Sequence, residues 1–334
     1  MIALLARRLL FGVVVLVAVS MITFGILALS PGDPAQRLAG PQATPEAVQK
    51  LRVQLGLDQP LWRQYSLYMQ RVAAGDLGTS VVTGRPVLDE ILSRAPATLE
   101  LMLTTLAATL AIGIPLGVWA ARRKGEWPDS LVRGFAVSSI STPSFWLGAI
   151  LVLVFYRDLD LLPSTGRFTG TAPPGTTGFL LIDSILAFDF PALGNALSHL
   201  ALPVATLAFI EIGATARLVR TQMLGVLSED YIRVARASGL SERDVIRHYA
   251  LPNALTPLLT VLGLSIAQML YGSVVIETVF GWPGTGNYVV QSIFALDFPV
   301  ILGFALIASS VYVVVNAAVD ALYILLDPRI REGV

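Results

Sequence analysis

SEDYIRVARASGLSERDVIRHYALPN (Ser228–Asn253) carries nine charged or histidine side chains, yet apolar runs long enough to cross a bilayer flank it on both sides. Its pattern predicts two short helices joined at Gly239. Ser228 is placed to cap the first, with Glu229 and Asp230 in the first turn, where the helix dipole favours negative charge. Gly239 stands where a helix needs a left-handed residue to stop, a conformation glycine takes without steric cost. Ser241-Glu242-Arg243-Asp244 has the form of a capping box. Tyr231, Val234 and Ala235 fall at helical spacing on one side, and Val245, Ile246 and Tyr249 do so on the next helix. A polar helix–glycine–helix element held between two membrane spans is placed to carry force to a soluble partner. A basic loop obeying the positive-inside bias is the plainer alternative.

The totals narrow the classes. Of 334 residues, 54% are hydrophobic and 14% charged, and the mean hydropathy is +0.70. A soluble domain carries nearer a quarter charged residues, so this is the composition of a membrane protein. Net charge is zero, unlike the basic balance of a nucleic-acid surface. With no cysteine and two distant histidines, His199 and His248, thiol chemistry and a cysteine or histidine metal site are disfavoured. The two lysines, Lys50 and Lys124, precede Leu and Gly, so no Walker A loop is present. If ATP powers this chain, another subunit hydrolyses it.

Six stretches are long and apolar enough to span a hydrocarbon core, near Leu9–Leu29, Thr98–Ala121, Leu131–Tyr156, His199–Leu218, Leu258–Ile276 and Pro299–Leu326. The first exceeds a signal-peptide core and reads as an uncleaved anchor. With the N-terminus inside, fourteen basic residues face the cytoplasm, while the outer connections after the third and fifth spans hold only Arg157 and Arg167. Both termini and the Ser228–Asn253 stretch are therefore expected in the cytoplasm.

Between the first two spans, Thr44-Pro45-Glu46 is a helix start. Leu61, Tyr65, Tyr68 and Val72 then form an apolar stripe on a second helix that Gly75-Asp76-Leu77-Gly78 ends. This predicts a small helical cap on the outer ends of the spans. In the second span Gly113, Pro115 and Gly117 predict close packing. In the third, Ser138, Ser139, Ser141, Thr142, Pro143 and Ser144, followed by Phe145-Trp146, predict a kinked helix with a polar face. Those hydroxyls either bond neighbouring helices or line a wet path. Residues 157–195, rich in Gly, Pro, Thr and Ser, read as an outer loop with little regular structure. Glu211 in the fourth span must pair or face an aqueous cavity, whereas snorkelling accounts for Arg217 and Arg220. In the fifth span Gln268 is the main polar group and is expected to be buried. Glu277–Gly286 (ETVFGWPGTG) reads as a tight outer turn, with a short helix to about Ala295. Asn316 and Asp320 in the sixth span are placed to tie helices together. No long-period repeat is evident.

The order of residues adds a resemblance. Ala235, three residues, Gly239, nine residues and Tyr249-Ala250-Leu251-Pro252 resemble the coupling motif of binding-protein-dependent ABC importer permeases, in which Glu-Ala-Ala, three residues, Gly, nine residues and Ile-x-Leu-Pro recur. Arg233 and Val234 stand where that motif has Glu and Ala. PGDPA (Pro31–Ala35), LGLDQPLW (Leu55–Trp62), GDLGTS (Gly75–Ser80), ETVFGWPGTG and the exit Leu326–Arg331 are similar to the dipeptide/oligopeptide/nickel branch.

That resemblance implies an all-α, six-span type I importer domain with a small helical extracytoplasmic segment. Its parts would be residues 1–95 for the first span and outer segment, 96–327 for the transmembrane domain and 328–334 for a cytoplasmic tail. It implies no catalysis in this chain, which would be a permease subunit in a prokaryotic inner membrane. Its partners would be a second homologous permease, two cytoplasmic ATPase subunits that bind ATP and magnesium, and an extracytoplasmic solute-binding protein. Coupling would fall to Glu229, Asp230, Arg233, Ala235, Arg236, Ala237, Gly239, Leu240, Leu251 and Pro252. Ser138, Ser141, Thr142, Ser144, Trp146, Glu211 and Gln268 are the candidate pathway residues. Cargo of the branch includes peptides, glutathione, nickel chelates and oligosaccharides. A secondary transporter would need an ion-coupling carboxylate, for which Glu100, Glu211 and Asp320 are the candidates. An intramembrane hydrolase would need a base near the third-span serines, and no histidine is close in sequence.

Overall fold

A computed structural model describes residues 2–29, 35–36, 43–54, 56–173 and 175–326, with the side chains of residues 2–9, 54, 259–262, 264, 267 and 319–326 excepted. The stretch Pro31–Pro34 and the exit beyond Leu326 lie outside these residues. Among those described the chain is helical, with no β-strand. It divides into two compact units, Met1–Ala95 with Tyr288–Ala317, and Pro96–Asn287 with the chain from Ala318.

The first unit holds α1 (Ile2–Leu29), α2 (Pro45–Gln54), α3 (Leu61–Ala73) and the start of α4 (Val87–Arg122). Thr44 Oγ1 accepts from the Ala47 amide at 3.3 Å, the cap that Thr44-Pro45-Glu46 foretells. The α3 stripe meets α1 as its spacing requires: the ring of Phe24 lies 5.5 Å from that of Tyr65 and 6.0 Å from that of Tyr68, and the Ser20 and Tyr65 hydroxyls pair at 2.7 Å. A side-chain carbon at Gly12 would come within 2.5 Å of Val313, so only glycine allows that approach. Val87, Ile91, Tyr288 and Val300 form the small core of this unit.

The second unit is built on α8 (Phe190–Leu227), a 38-residue helix longer than the expected fourth span. Around it pack α4 from Pro96 onward, α5 (Trp127–Ser141), α6 (Ser144–Leu151), which continues as a wide turn to Asp158, and α11 (Leu251–Val279). Small residues set the distances. A carbon at Gly117 would sit 2.7 Å from the Ala216 carbonyl, and one at Gly213 would strike Ser139. The close packing expected of the second span is therefore present, although Pro115 does not break the helix.

Three expectations change. The third span is a corner rather than a kink, for α5 and α6 meet at 102°. Pro143 lacks the amide to continue α5 and pushes Thr142 into an extended conformation, with φ −93° and ψ 120°. The connection over residues 157–195 is not irregular throughout, because α7 (Leu180–Leu186) forms within it and α8 begins at Phe190. Asp183 and Ser184 face inward on that turn and Leu181 packs on the core, while Ile182, Ile185 and Leu186 are exposed. Gln268 is exposed, not buried. The inward face of α11 runs through Leu258, Ser265, Met269, Ser273 and Ile276, and Gln268 lies about 100° around the helix from Met269.

Among the described residues, Leu10–Leu29, Val87–Arg122, Phe190–Leu227 and Phe298–Ala318 are long and apolar enough to cross a membrane, and the bent pair α5–α6 makes a fifth if it is one span. The 29-residue helix α11 covers the remaining expected span. After α11, the turn Phe280–Gly284 leads into α12 (Thr285–Ala295), as ETVFGWPGTG predicts, and α13 (Phe298–Leu326) follows.

Candidate coupling element and pathway residues

The stretch that follows α8 folds as α9 (Asp230–Ala237), a left-handed Gly239 with φ +82° and a one-turn α10 (Glu242–Asp244). Two details depart from expectation. Ser228 ends α8, its Oγ donating to the Gly225 carbonyl at 2.6 Å, and Glu229 takes the cap position of α9. The second helix is not a separate short one, because α10 runs through a π turn, Val245–Ala250, directly into α11. Pro252 explains the widening. Its ring clashes with the carbonyl of residue 248 in regular helical geometry, and the Leu251 amide instead bonds the Ile246 carbonyl five residues back. The capping box forms by half. Ser241 Oγ accepts from the Asp244 amide at 3.2 Å and donates to the Asp244 carboxylate at 2.6 Å.

The inner face of the element is a hydrophobic core. Ile232, Ala235, Val245, Ile246 and Ala250 pack with Ala121 of α4, Val219 and Met223 of α8, and Ala254 and Leu258 of α11. Ala235 is thereby committed inward, and Leu251 packs against the same core. Tyr231 and Val234, grouped with Ala235 by spacing alone, face outward, as do Leu240 and Tyr249. Glu229, Asp230, Arg233, Arg236, Ala237, Gly239 and Pro252 are exposed as well. The outward surface is thus a band of aromatic and aliphatic side chains set among charges.

Ion pairs hold the bend. Arg236 Nε and Nη2 donate to Glu242 at 3.0 and 2.8 Å, bridging the turn at Gly239. The pairing raises the guanidinium pKa and, with Arg122 nearby, lowers that of the Glu242 carboxyl. Arg233, where the motif has an acid, pairs with Asp230 one turn earlier on α9.

Beside this element lies a site the sequence did not single out. Asp129, 2% exposed, accepts both Arg220 Nε and Nη2 and the Gly125 amide, the last at 3.0 Å. Arg220 therefore does not snorkel. It locks the loop Arg123–Glu126 and α5 onto α8. Arg133 adds a second cation 3.7 Å from the same carboxylate. The signal was present as an aspartate in the first turn after Pro128, but nothing in sequence links it to a residue 91 positions away.

On the opposite end of the second unit, Glu100 accepts from Arg167 Nε and Nη2 at 2.9 and 2.6 Å and from the Leu181 amide at 2.7 Å. Asp183 collects amides and hydroxyls of Thr176 and Thr177 at 2.9–3.2 Å, with the Gly178 amide at 3.1 Å. These bonds outweigh burial and lower its pKa. Glu277, fully buried, accepts Thr98 Oγ1 at 2.7 Å and the Asn287 amide at 2.9 Å. Its carboxylate fills the space a side chain at Gly284 or Gly286 would need.

The pathway candidates do not converge. Ser141 and Thr142 donate to their own helix, at the Val137 and Ser138 carbonyls (3.0 and 2.7 Å). Ser138 and Trp146 are exposed and Ser144 half-buried, while Glu211 is buried on α8 facing Ser265. The buried hydroxyl of the group is Ser139, packed against Gly213. No group of three or more His, Cys, Asp or Glu residues able to hold a metal ion occurs among the described residues.

The family profile described as "Binding-protein-dependent transport system inner membrane component" matches residues 113–332, and its N-terminal companion matches residues 1–102. The chain is 52% identical to the probable D,D-dipeptide transport system permease protein DdpB of Escherichia coli K12, over 98% of this chain and 97% of that protein. It is 40% identical to the dipeptide transport system permease protein DppB of Alkalihalophilus pseudofirmus, over 99% and 100%. It is 39% identical to the di/tripeptide transport system permease protein DppB of Pseudomonas aeruginosa, over 99% of each.

Proposed function

The chain belongs to the family of binding-protein-dependent transport system inner membrane components, and from that premise we propose that it is the permease subunit of an ATP-driven importer of short peptides. In this reading it lies in a prokaryotic inner membrane with six spans and both termini cytoplasmic. It pairs with a second, similar permease, receives peptide from an extracytoplasmic binding protein and rests on two ATPase subunits. Those subunits bind ATP and magnesium; this chain holds neither and catalyses nothing. The observation that carries the cargo is the naming of three full-length relatives for dipeptide or di/tripeptide transport.

The geometry supports a mechanism in this chain's own residues. Tyr231, Val234, Leu240 and Tyr249, with Arg233 and Arg236 among them, form the outward face on which an ATPase subunit docks. The inner face is packed on α4, α8 and α11 together, so a push on the bend reaches three spans at once. The continuous run from α10 into α11 passes that push on without a joint. Arg233 meets the partner differently from an acid in its place, since it stands paired with Asp230. Gln268, Ser138 and Trp146 serve the pathway once a second permease covers their faces, and Glu211, buried against Ser265, serves it once the spans move apart.

Reconstitution in vesicles with both permeases, the ATPases and a peptide-loaded binding protein tests the whole. ATP-dependent uptake of labelled dipeptide is expected. Uptake of nickel chelates, glutathione or oligosaccharide in its place reassigns the cargo, and proton-driven uptake without ATPases makes the chain an ion-coupled carrier.

A further inference from the structure

Next to the bend, on its membrane side in the proposed orientation, the second unit forms an open cavity of about 500 Å³ between the inner ends of α4 and α8. Its wall carries four cations, Arg122, Arg123, Lys124 and Arg236, against two carboxylates, Glu126 and Glu242. Both carboxylates are engaged, Glu126 by Arg123 at 3.1 Å and Glu242 by Arg236 at 2.8 Å. Arg122 and Lys124 have no ion-pair partner among the described residues. Four cations against two carboxylates leave an excess of two positive charges around one polar space whose floor is aliphatic, from Leu224 and Leu227.

The surroundings give the depth. Trp119 lies three residues before Arg122, on the same helical face, and its ring meets that of Trp127 edge-on at 5.3 Å. Trp127 is 67% exposed, and beyond it α5 turns Leu131, Val137 and Ile140 outward. An exposed tryptophan pair at the foot of an apolar face marks headgroup level. Basic pockets between helices at that level on the cytoplasmic side suit anionic lipid headgroups.

We propose that this cavity binds the phosphate of an anionic phospholipid from the inner leaflet, with Arg122 and Lys124 as its ligands and the Leu224–Leu227 floor under the glycerol and first methylenes. The site abuts the Arg236–Glu242 clasp. Lipid is favoured over an acidic segment of the ATPase because the apolar floor and the tryptophan pair suit an amphiphile and have no use for a carboxylate. The inference rests on the cytoplasmic placement proposed above.

The test uses the assembled transporter in nanodiscs, with spin-labelled phosphatidylglycerol or phosphatidylcholine as probe and the variant R122Q/K124Q. Wild type is expected to hold phosphatidylglycerol selectively. At about fivefold per basic side chain, the double variant binds it about 25-fold more weakly while phosphatidylcholine is unaffected. R122K should retain most of the selectivity. Equal retention by wild type and double variant overturns the proposal. So does inorganic phosphate that displaces the lipid at matched concentration, which makes the cavity a free-anion site. Loss of ATPase subunits from R122Q/K124Q at unchanged lipid binding assigns the cavity to the ATPase and also overturns it. Because the chain has no cysteine, a lone S238C labelled from one side of a vesicle holding the permease without ATPases reports the orientation separately.

Discussion

Gly239 is the residue on which the bend depends, and the reason is conformational rather than steric. Its φ is +82°, and a side-chain carbon there would meet nothing within 4 Å. An alanine therefore carries only the left-handed penalty of about 1–2 kcal/mol, whereas valine adds a branched side chain in that conformation and proline cannot adopt it. Gly239→Val or Gly239→Pro is expected to insert normally yet lose the ATPase subunits on co-purification, and Gly239→Ala to weaken that association without abolishing it. Normal co-purification of all three would end the coupling assignment. Asp183 helps to set the acid limit of the fold. Its hydrogen bonds to Thr177 and Thr176 outweigh the cost of burial and it ionises more readily in the folded chain, so it contributes stability above its ordinary carboxyl pKa that is lost as pH falls through the folded value. The unfolding temperature in detergent should therefore drop as pH falls below the ordinary carboxyl range for wild type, with a shallower acid slope and lower neutral stability for Asp183→Asn.

At the scale of elements, two locks are predicted to act independently at opposite ends of the second unit. Arg220→Ala strands the buried Asp129 carboxylate and should cost about 3–5 kcal/mol. Trypsin should then cut faster at Arg122–Lys124, with cleavage beyond Arg167 unchanged. Glu100→Gln removes the anchor of Arg167 and of the α7 amide, and should instead speed cleavage after Arg167 alone. Equal acceleration at both places in either variant would show that the locks are one cooperative structure. The Arg236–Glu242 clasp is more exposed, and a double-mutant cycle there should return a coupling of about 0.5–1 kcal/mol. Its role is to hold the direction of the bend more than to stabilise the chain.

For the whole molecule, the testable property is dependence on partners. Expressed alone, the chain leaves Tyr231, Val234 and Tyr249 exposed. The expected outcome is aggregation or turnover that co-expression of the ATPases and second permease relieves, read as yield after mild detergent extraction. Much of this architecture was legible in the residues. Membrane class followed from composition, α2 and α3 from Thr44 and the Leu61–Val72 stripe, the bend from glycine and serine, and the turn after α11 from ETVFGWPGTG. These are local properties, set by hydropathy over about twenty residues, by caps and by the backbone freedom of one residue type, so sequence alone determined them. Tertiary structure decided the rest. Which face of α9 turns inward depended on Ala121, Val219 and Met223 arriving from elsewhere. That Arg220 grips Asp129, that Arg167 grips Glu100, and that Pro143 makes a corner depended on helices meeting across long stretches of chain. Burial and charge pairing are properties of such meetings, and no local pattern encodes the partner.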